Sequence, residues 1–450
     1  MAVGILDAMS QMVRMRSPAT KNAVSSFVSL FWLNALSVLA IPVYVKLLGT
    51  GSWGIVAACS SLQLLFTFID LGFSQIVPRW VAREANSPSL LRQYIRVFQM
   101  VYGALAVTGF VVIQAAAWPL GHLWFNVPSD QAGTLVLCIR LIAFQLLFQF
   151  ANNLYVGIWH GLQLQVQANL RTCLFGTLKH AVAILALVFV AANPVLYALM
   201  FAAVALAELA TSVVATRRRG LLASASDAST APLETRLFFR EAAVLSIGII
   251  VGLGVSQMDR IVLSRIVSVD SFGVYVVVFN LAMAFLALQA PLTRAYFPVL
   301  VQDVKLHGRP NPATLKRLVV GNTLVCILPA LAVAACADKV LRLWVHNEHF
   351  VELGTLPLRL LLVATCFNVL YNCFYQVIVA QGSAHVVLKL NLACLAVGVA
   401  TAAVFAGRAD LMVGGLIWIA TTSTQLALGI AWYWSSTRHA NRAPESRQAP

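Results

Sequence analysis

Apolar runs of about 20 residues, each long enough to cross a ~30 Å hydrocarbon layer, recur from one end of this chain to the other. A segment in lipid must satisfy its backbone N–H and C=O groups internally, so such runs fold as α-helices or as strands of a closed barrel. Barrel strands would be ~10 residues long with alternating polarity, and these runs neither alternate nor end so soon. Twelve spans are expected, over residues 22–45, 53–77, 97–118, 133–157, 172–191, 195–216, 242–264, 272–295, 318–337, 358–380, 390–406 and 412–435. Composition agrees: 60% of the 450 residues are hydrophobic and 10% charged, against about 45–50% and 25% in a soluble domain. A soluble enzyme and a secreted disulfide scaffold are thereby excluded. The eight cysteines lie in or beside apolar runs without a C-x-x-C pair, as small buried hydrophobes.

The net charge of +15 would suggest nucleic acid in a soluble protein, but here the basic residues lie between the apolar runs. Lys and Arg concentrate in cytoplasmic loops of membrane proteins. With the N-terminus inside, 22 basic residues fall on the cytoplasmic side and 5 (Lys46, Arg265, Lys339, Arg342, Arg408) outside. Both termini are therefore expected in the cytoplasm, and no nucleic-acid partner is expected.

The two halves of the chain echo each other. Lys46 to Gly54 aligns with Arg265 to Gly273 at an offset of 219; Leu123-Trp124 aligns with Leu343-Trp344 at 220; Gly161 aligns with Gly382 at 221; Arg140 aligns with Arg359 at 219. A persistent offset in one order implies a duplicated six-helix unit, parallel because an even number of spans preserves orientation. Two-half construction is characteristic of secondary transporters, with a site near the midplane. The expected organisation is a cytoplasmic segment over 1–21, an N-lobe over 22–216, a cytoplasmic linker over 217–240, a C-lobe over 241–435 and a cytoplasmic tail over 436–450. Residues 159–171 and 297–315 read as short interfacial connections.

No G-x-x-x-x-G-K-[ST], H-E-x-x-H or G-x-S-x-G motif is present, so an ATPase, a zincin and a serine hydrolase are not indicated. No extramembrane loop exceeds about 25 residues, too little to hold the acceptor of a membrane glycan polymerase or ligase. No enzyme, cofactor or metal site is expected.

Several stretches resemble the polysaccharide flippases (Wzx-like translocases) of the multidrug/oligosaccharidyl-lipid/polysaccharide superfamily. They are Pro42-Val-Tyr-Val-Lys-Leu-Leu-Gly49 with Trp53-Gly54, Asp70-Leu-Gly72 with Arg79, Gln257-Met-Asp-Arg-Ile-Val-Leu-Ser264 with Phe272-Gly-Val-Tyr275, and Phe297-Pro298. The resemblance implies an all-α integral membrane fold of two six-helix lobes in a V, in a bacterial inner membrane. The implied function is movement of undecaprenyl-pyrophosphate-linked oligosaccharide units from the cytoplasmic to the periplasmic leaflet, for O-antigen or exopolysaccharide synthesis. The implied partners are the lipid-linked oligosaccharide, the bilayer, H+ or Na+ as coupling ion, and the polymerase and glycosyltransferases of the same pathway. The alternatives are a cation-coupled multidrug exporter of the same superfamily and, against the short loops, a membrane glycan polymerase or ligase.

Ionisable side chains inside membrane helices are costly, so each is a candidate for function. Arg140 and Arg359, at equivalent positions, either snorkel to the outer headgroups or face a cavity, where the guanidinium fork matches phosphate oxygens. Arg260, directly after Asp259, is a further substrate-binding candidate. Asp259 either bonds Lys46 or Arg265 as structural glue or acts in the cavity. Lys179 and Glu208, on consecutive antiparallel spans, either neutralise each other or take part in ion coupling. Asp70 is a cation or proton site, or a helix-end partner of Arg79.

Overall fold

The computed structural model describes residues 18–63, 73–222, 235–307, 310–405 and 407–442, and the described residues are almost wholly helical. The first half contains α1 (Pro18–Leu62), α2 (Phe73–Arg83), α3 (Pro88–Pro119), α4 (Ser129–Gly161), α5 (Gln165–Phe189) and α6 (Pro194–Arg218). The second contains α7 (Thr235–Ile266), α8 (Val269–Ala287), α9 (Ala290–His307), α10 (Pro312–Asn322), α11 (Leu328–Ala335), α12 (Ala337–Val345), α13 (Glu348–Ala380), α14 (Ala384–Phe405) and α15 (Met412–Arg442). Single π-turns follow α3 (Leu120–Trp124) and α10 (Thr323–Ile327). The chain divides into two compact units, Met1–Ile249 and Ile250–Pro450.

Local chemistry sets many of the boundaries. Asn193-Pro194 and Asn311-Pro312 each place a capping amide before a proline at the first helical position, and the Asn oxygens accept from the Leu196 and Ala313 N–H groups. Proline costs nothing there, since that N–H has no partner within the helix. Ser268 and Asn347 cap α8 and α13 in the same manner.

Ten helices of the described residues are long and apolar enough to cross a membrane. One of them, α1, joins the first expected span to the start of the second. The joint is Gly49, at φ 77° and ψ 172°, a backbone state that only a residue without Cβ adopts cheaply. The second span resumes in α2, with residues 64–72 outside the described set. The expected connections at 159–171 and 297–315 need correction. α4 runs on to Gly161 and α5 begins at Gln165, leaving a three-residue turn. Residues 290–307 are helical in α9, with Pro298 inside the helix. Their lower hydropathy made helix ends look like loops, because amphipathic turns keep helical backbone while losing apolar continuity.

The duplication is visible in the element bounds. α4 and α13 begin at 129 and 348 and end at 161 and 380, an offset of 219 at both ends. α5 and α14 start 219 apart, at 165 and 384. Ser268, the cap that separates α7 from α8, stands 219 residues after the Gly49 kink. α4 is the central helix of the first unit, packed on α2, α3 and α6, and α13 is its counterpart, packed on α8, α12 and α15. Large apolar side chains on outer helices, among them Val111, Leu185, Phe189 and Val399, are exposed, as expected where the solvent is lipid.

Candidate functional site

The first unit holds a polar cavity of about 260 Å³ between α1, α4, α5 and α6. α4 supplies Gln145, Gln149, Asn152, Asn153 and Val156. Their spacing of i, i+4, i+7, i+8 and i+11 puts them on one helical face. α5 adds Thr172, Phe175, Gly176, Lys179 and His180, and α6 adds Phe201, Val204, Ala205 and Glu208. Gln145 and Asn152 are buried, at 3% and 4% exposure, whereas Gln149 and Asn153 are exposed and form the mouth.

Lys179 and Glu208, singled out from the sequence, thus line one cavity. No ion pair joins them among the described residues; they act on each other through space. The Lys179 ammonium lies 5.4 Å from the centroid of the Phe201 ring, a cation–π distance. Asn152 and Glu208 both line the cavity, and the Asn152 Oδ1 and the Gln145 Oε1 have no partner. His180 Nδ1 and the Tyr44 hydroxyl are 2.9 Å apart. Tyr44, His180 and Phe201 form a continuous aromatic wall, with ring centroids 5.8 and 5.6 Å apart. Tyr44 also stacks on Trp53 across the Gly49 kink.

A cationic step leads towards the Gln165 end of α5 and the Arg218 end of α6. Arg171 lies two turns before Lys179 on α5, and its guanidinium donates to Thr211 Oγ1 at 2.6 Å. Arg171 and Arg219 both stack on Trp159, at 5.0 and 5.7 Å from its ring, and the Trp159 indole donates to Thr216 Oγ1.

In the second unit Asp259 is fully buried, and the Tyr275 hydroxyl donates to its Oδ2 at 2.6 Å. Arg260, the next residue, turns to another face, with its guanidinium 4.1 Å from the Phe279 ring centroid. The amides of α13 link to α15: Asn372 Nδ2 donates to Asn368, and Asn368 Nδ2 to Gln425. Asn368 and Asn372 stand 219 residues after Gln149 and Asn153.

Arg140 and Arg359 are both exposed and both lie 11 residues after the start of their helices. Arg359 is only one residue into its apolar run, yet the two depths are equal because α13 starts ten residues before that run. Each position ties its helix to the preceding hairpin arm: Gln114 Nε2 donates to the Arg140 carbonyl, and Arg359 Nε donates to the Ala334 carbonyl, both at 3.1 Å. Arg359 also pairs with Asp338 at 3.7 Å. Asp70 lies outside the described residues. The amides Gln145, Gln149, Asn152 and Asn153 carry no charge to mark them in the sequence; their helical periodicity within an otherwise apolar run was the signal that could have found them.

Residues 19–303 match the family model described as "Polysaccharide biosynthesis protein". No curated protein sequence matches the chain. Among solved structures, an inward-facing multidrug resistance MATE family transporter of the MOP superfamily is 15% identical, covering 92% of this chain and 96% of that one, with a TM-score of 0.69. The lipid II flippase MurJ in an inward closed conformation is 9% identical, covering 93% and 91%, with a TM-score of 0.67. A MOP superfamily transporter from Pyrococcus furiosus is 16% identical, covering 96% and 97%, with a TM-score of 0.53. At such identities the likeness establishes the fold.

Proposed function

The chain belongs to the polysaccharide biosynthesis protein family, and on that premise we propose that it moves undecaprenyl-pyrophosphate-linked oligosaccharide units from the cytoplasmic to the periplasmic leaflet of a bacterial inner membrane. It is a multi-pass membrane protein with a transporter fold, and translocation rather than catalysis is the activity which that fold and family favour. The observation that carries the reading is the family match, which runs from the start of α1 through the first unit's helices and most of α9. The charge count of 22 basic residues inside against 5 outside supports cytoplasmic termini. Two related units suit alternating access, in which a site is exposed first to one side and then to the other. An H+ or Na+ gradient would supply the driving force, and O-antigen or exopolysaccharide would be the product served.

Arg140 and Arg359 are proposed to take the pyrophosphate. Both side chains are exposed on repeat-related helices, and a guanidinium fork matches phosphate oxygens; Arg359 would exchange its Asp338 partner for the ligand. Arg260, held over Phe279 beside Asp259, is a secondary candidate whose charge is already engaged.

Deletion of the gene tests the function. Lipid-linked units should accumulate on the cytoplasmic leaflet and surface polysaccharide should disappear; glycan that still reached the periplasm, altered only in chain length, would point to a polymerase. Complementation tests the arginines. A bidentate charge-assisted contact contributes about 1.5–3 kcal/mol, or roughly 10–100-fold. Arg140→Ala should therefore lower polysaccharide export by at least tenfold and Arg140→Lys by less, at equal protein level, with Arg359 following the same order. Normal export with alanine at both positions would make them headgroup-snorkelling residues.

A further inference from the structure

We propose that the cavity of the first unit is a subsite for one neutral sugar residue of the translocated glycan, an assignment that rests on the flippase function and extends it. Its volume of about 260 Å³ lies just below the ~300–1,000 Å³ of pockets for drug-sized ligands. Such a space has room for one hexopyranose ring, with the rest of a longer glycan outside the cavity.

The lining selects by charge. Lys179 and Glu208 contribute one positive and one negative group, so the cavity has no net charge with which to hold an anion or a cation. Pyrophosphate would meet the Glu208 carboxylate and two unpartnered carbonyl oxygens, Gln145 Oε1 and Asn152 Oδ1. A metal cation would find those oxygens but also the Lys179 ammonium. A polyol meets none of these conflicts. Its hydroxyls donate to the buried carbonyl oxygens and to Glu208, and accept from Lys179 and from the amide NH₂ groups. Leaving a buried acceptor unpaired is costly, so side chains of this kind, more than nine-tenths buried, mark a place where a ligand's donors belong. Gln149 and Asn153, exposed at the mouth, can receive the ring as it enters.

The test uses the purified full-length protein in nanodiscs and follows thermal unfolding. D-glucose, D-galactose and N-acetyl-D-glucosamine are titrated to about 100 mM, a hundred times a millimolar Kd, beside D-glucuronate, inorganic pyrophosphate and sodium chloride against potassium chloride. At least one neutral sugar should raise the unfolding temperature saturably, and glucuronate should bind at least tenfold more weakly. Gln149→Ala and Asn153→Ala, at exposed positions that carry little folding risk, should each weaken the neutral sugar at least fivefold, and Asn152→Leu should abolish its effect. The proposal is overturned if no neutral sugar shifts unfolding, if the mouth variants bind like the wild type, or if pyrophosphate or sodium gives the larger shift. Complementation of the deletion strain separates the two readings. Restored polysaccharide without sugar binding sinks the subsite alone, whereas sugar binding in a protein whose deletion leaves polysaccharide intact sinks the flippase.

Discussion

Tyr275→Phe is expected to destabilise the protein by about 2 kcal/mol, a roughly 30-fold change in the folded-to-unfolded ratio. Asp259 is fully buried and its Oδ2 accepts from the Tyr275 hydroxyl at 2.6 Å, while Oδ1 has no hydrogen-bond partner. Removing that hydroxyl leaves a buried carboxyl group stripped of its side-chain donor. Hydrogen bonds between membrane helices average only ~0.6 kcal/mol, because the unfolded chain in lipid finds other partners. A carboxyl acceptor buried this completely places the pair near the upper end instead. Asp259→Asn should recover part of the loss in the Tyr275→Phe background, since stranding an amide costs less than stranding an ionisable acid. Gly414→Leu should imitate Tyr275→Phe from the other side, because a Cβ at 414 would lie 2.6 Å from the Tyr275 ring. Thermal unfolding in nanodiscs reads each of these variants, and an unchanged melting temperature for Tyr275→Phe would show that Asp259 does not depend on this bond.

Lys179→Met should have an effect of similar size, about 2 kcal/mol, with at least a tenfold loss of transport. Removing one member of a buried salt bridge strands the other at ~3–5 kcal/mol; Lys179 and Glu208 are half-buried and act on each other through space rather than in ion-pair contact, which places the cost below that range. Lys179→Met with Glu208→Gln should regain most of the stability, because neither charge then remains. Transport should stay low in the double variant if the two groups serve the ligand or the coupling ion. Full transport in the double variant would make them structural glue. Melting and surface polysaccharide, measured on the wild type, the single variant and the double variant, separate these outcomes.

The helices were legible because lipid permits so few alternatives for the backbone: a run of about 20 apolar residues is already a helix. The duplication was legible as well, since an offset of 219 between Arg140 and Arg359 returns in the bounds of α4 and α13. Helix ends were less so. Gly49 reads as one glycine in an apolar stretch, and only its φ of 77° shows that it takes the part of the Ser268 break. The site was half legible. Lys179 and Glu208 stood out by charge, and hairpin geometry brought them to one cavity. Gln145, Gln149, Asn152 and Asn153 did not, because uncharged amides barely lower the hydropathy of a long run. Tyr275 as the partner of Asp259, 16 residues away across the Ser268 turn, depends on how α7 and α8 pack, which periodicity does not encode.

The central claim is translocation of a lipid-linked glycan, and reconstitution tests it most directly. Purified protein is placed in liposomes that contain undecaprenyl-pyrophosphate-linked oligosaccharide in both leaflets, and an impermeant glycosidase is added outside. In protein-free liposomes only the outer-leaflet glycan should be digested. With the protein and the coupling-ion gradient the inner-leaflet pool should become digestible too, more slowly with Arg140→Ala. An inner-leaflet pool that stays protected by the bilayer, in liposomes where the protein is folded and inserted under H+ and Na+ gradients of either direction, would contradict the account.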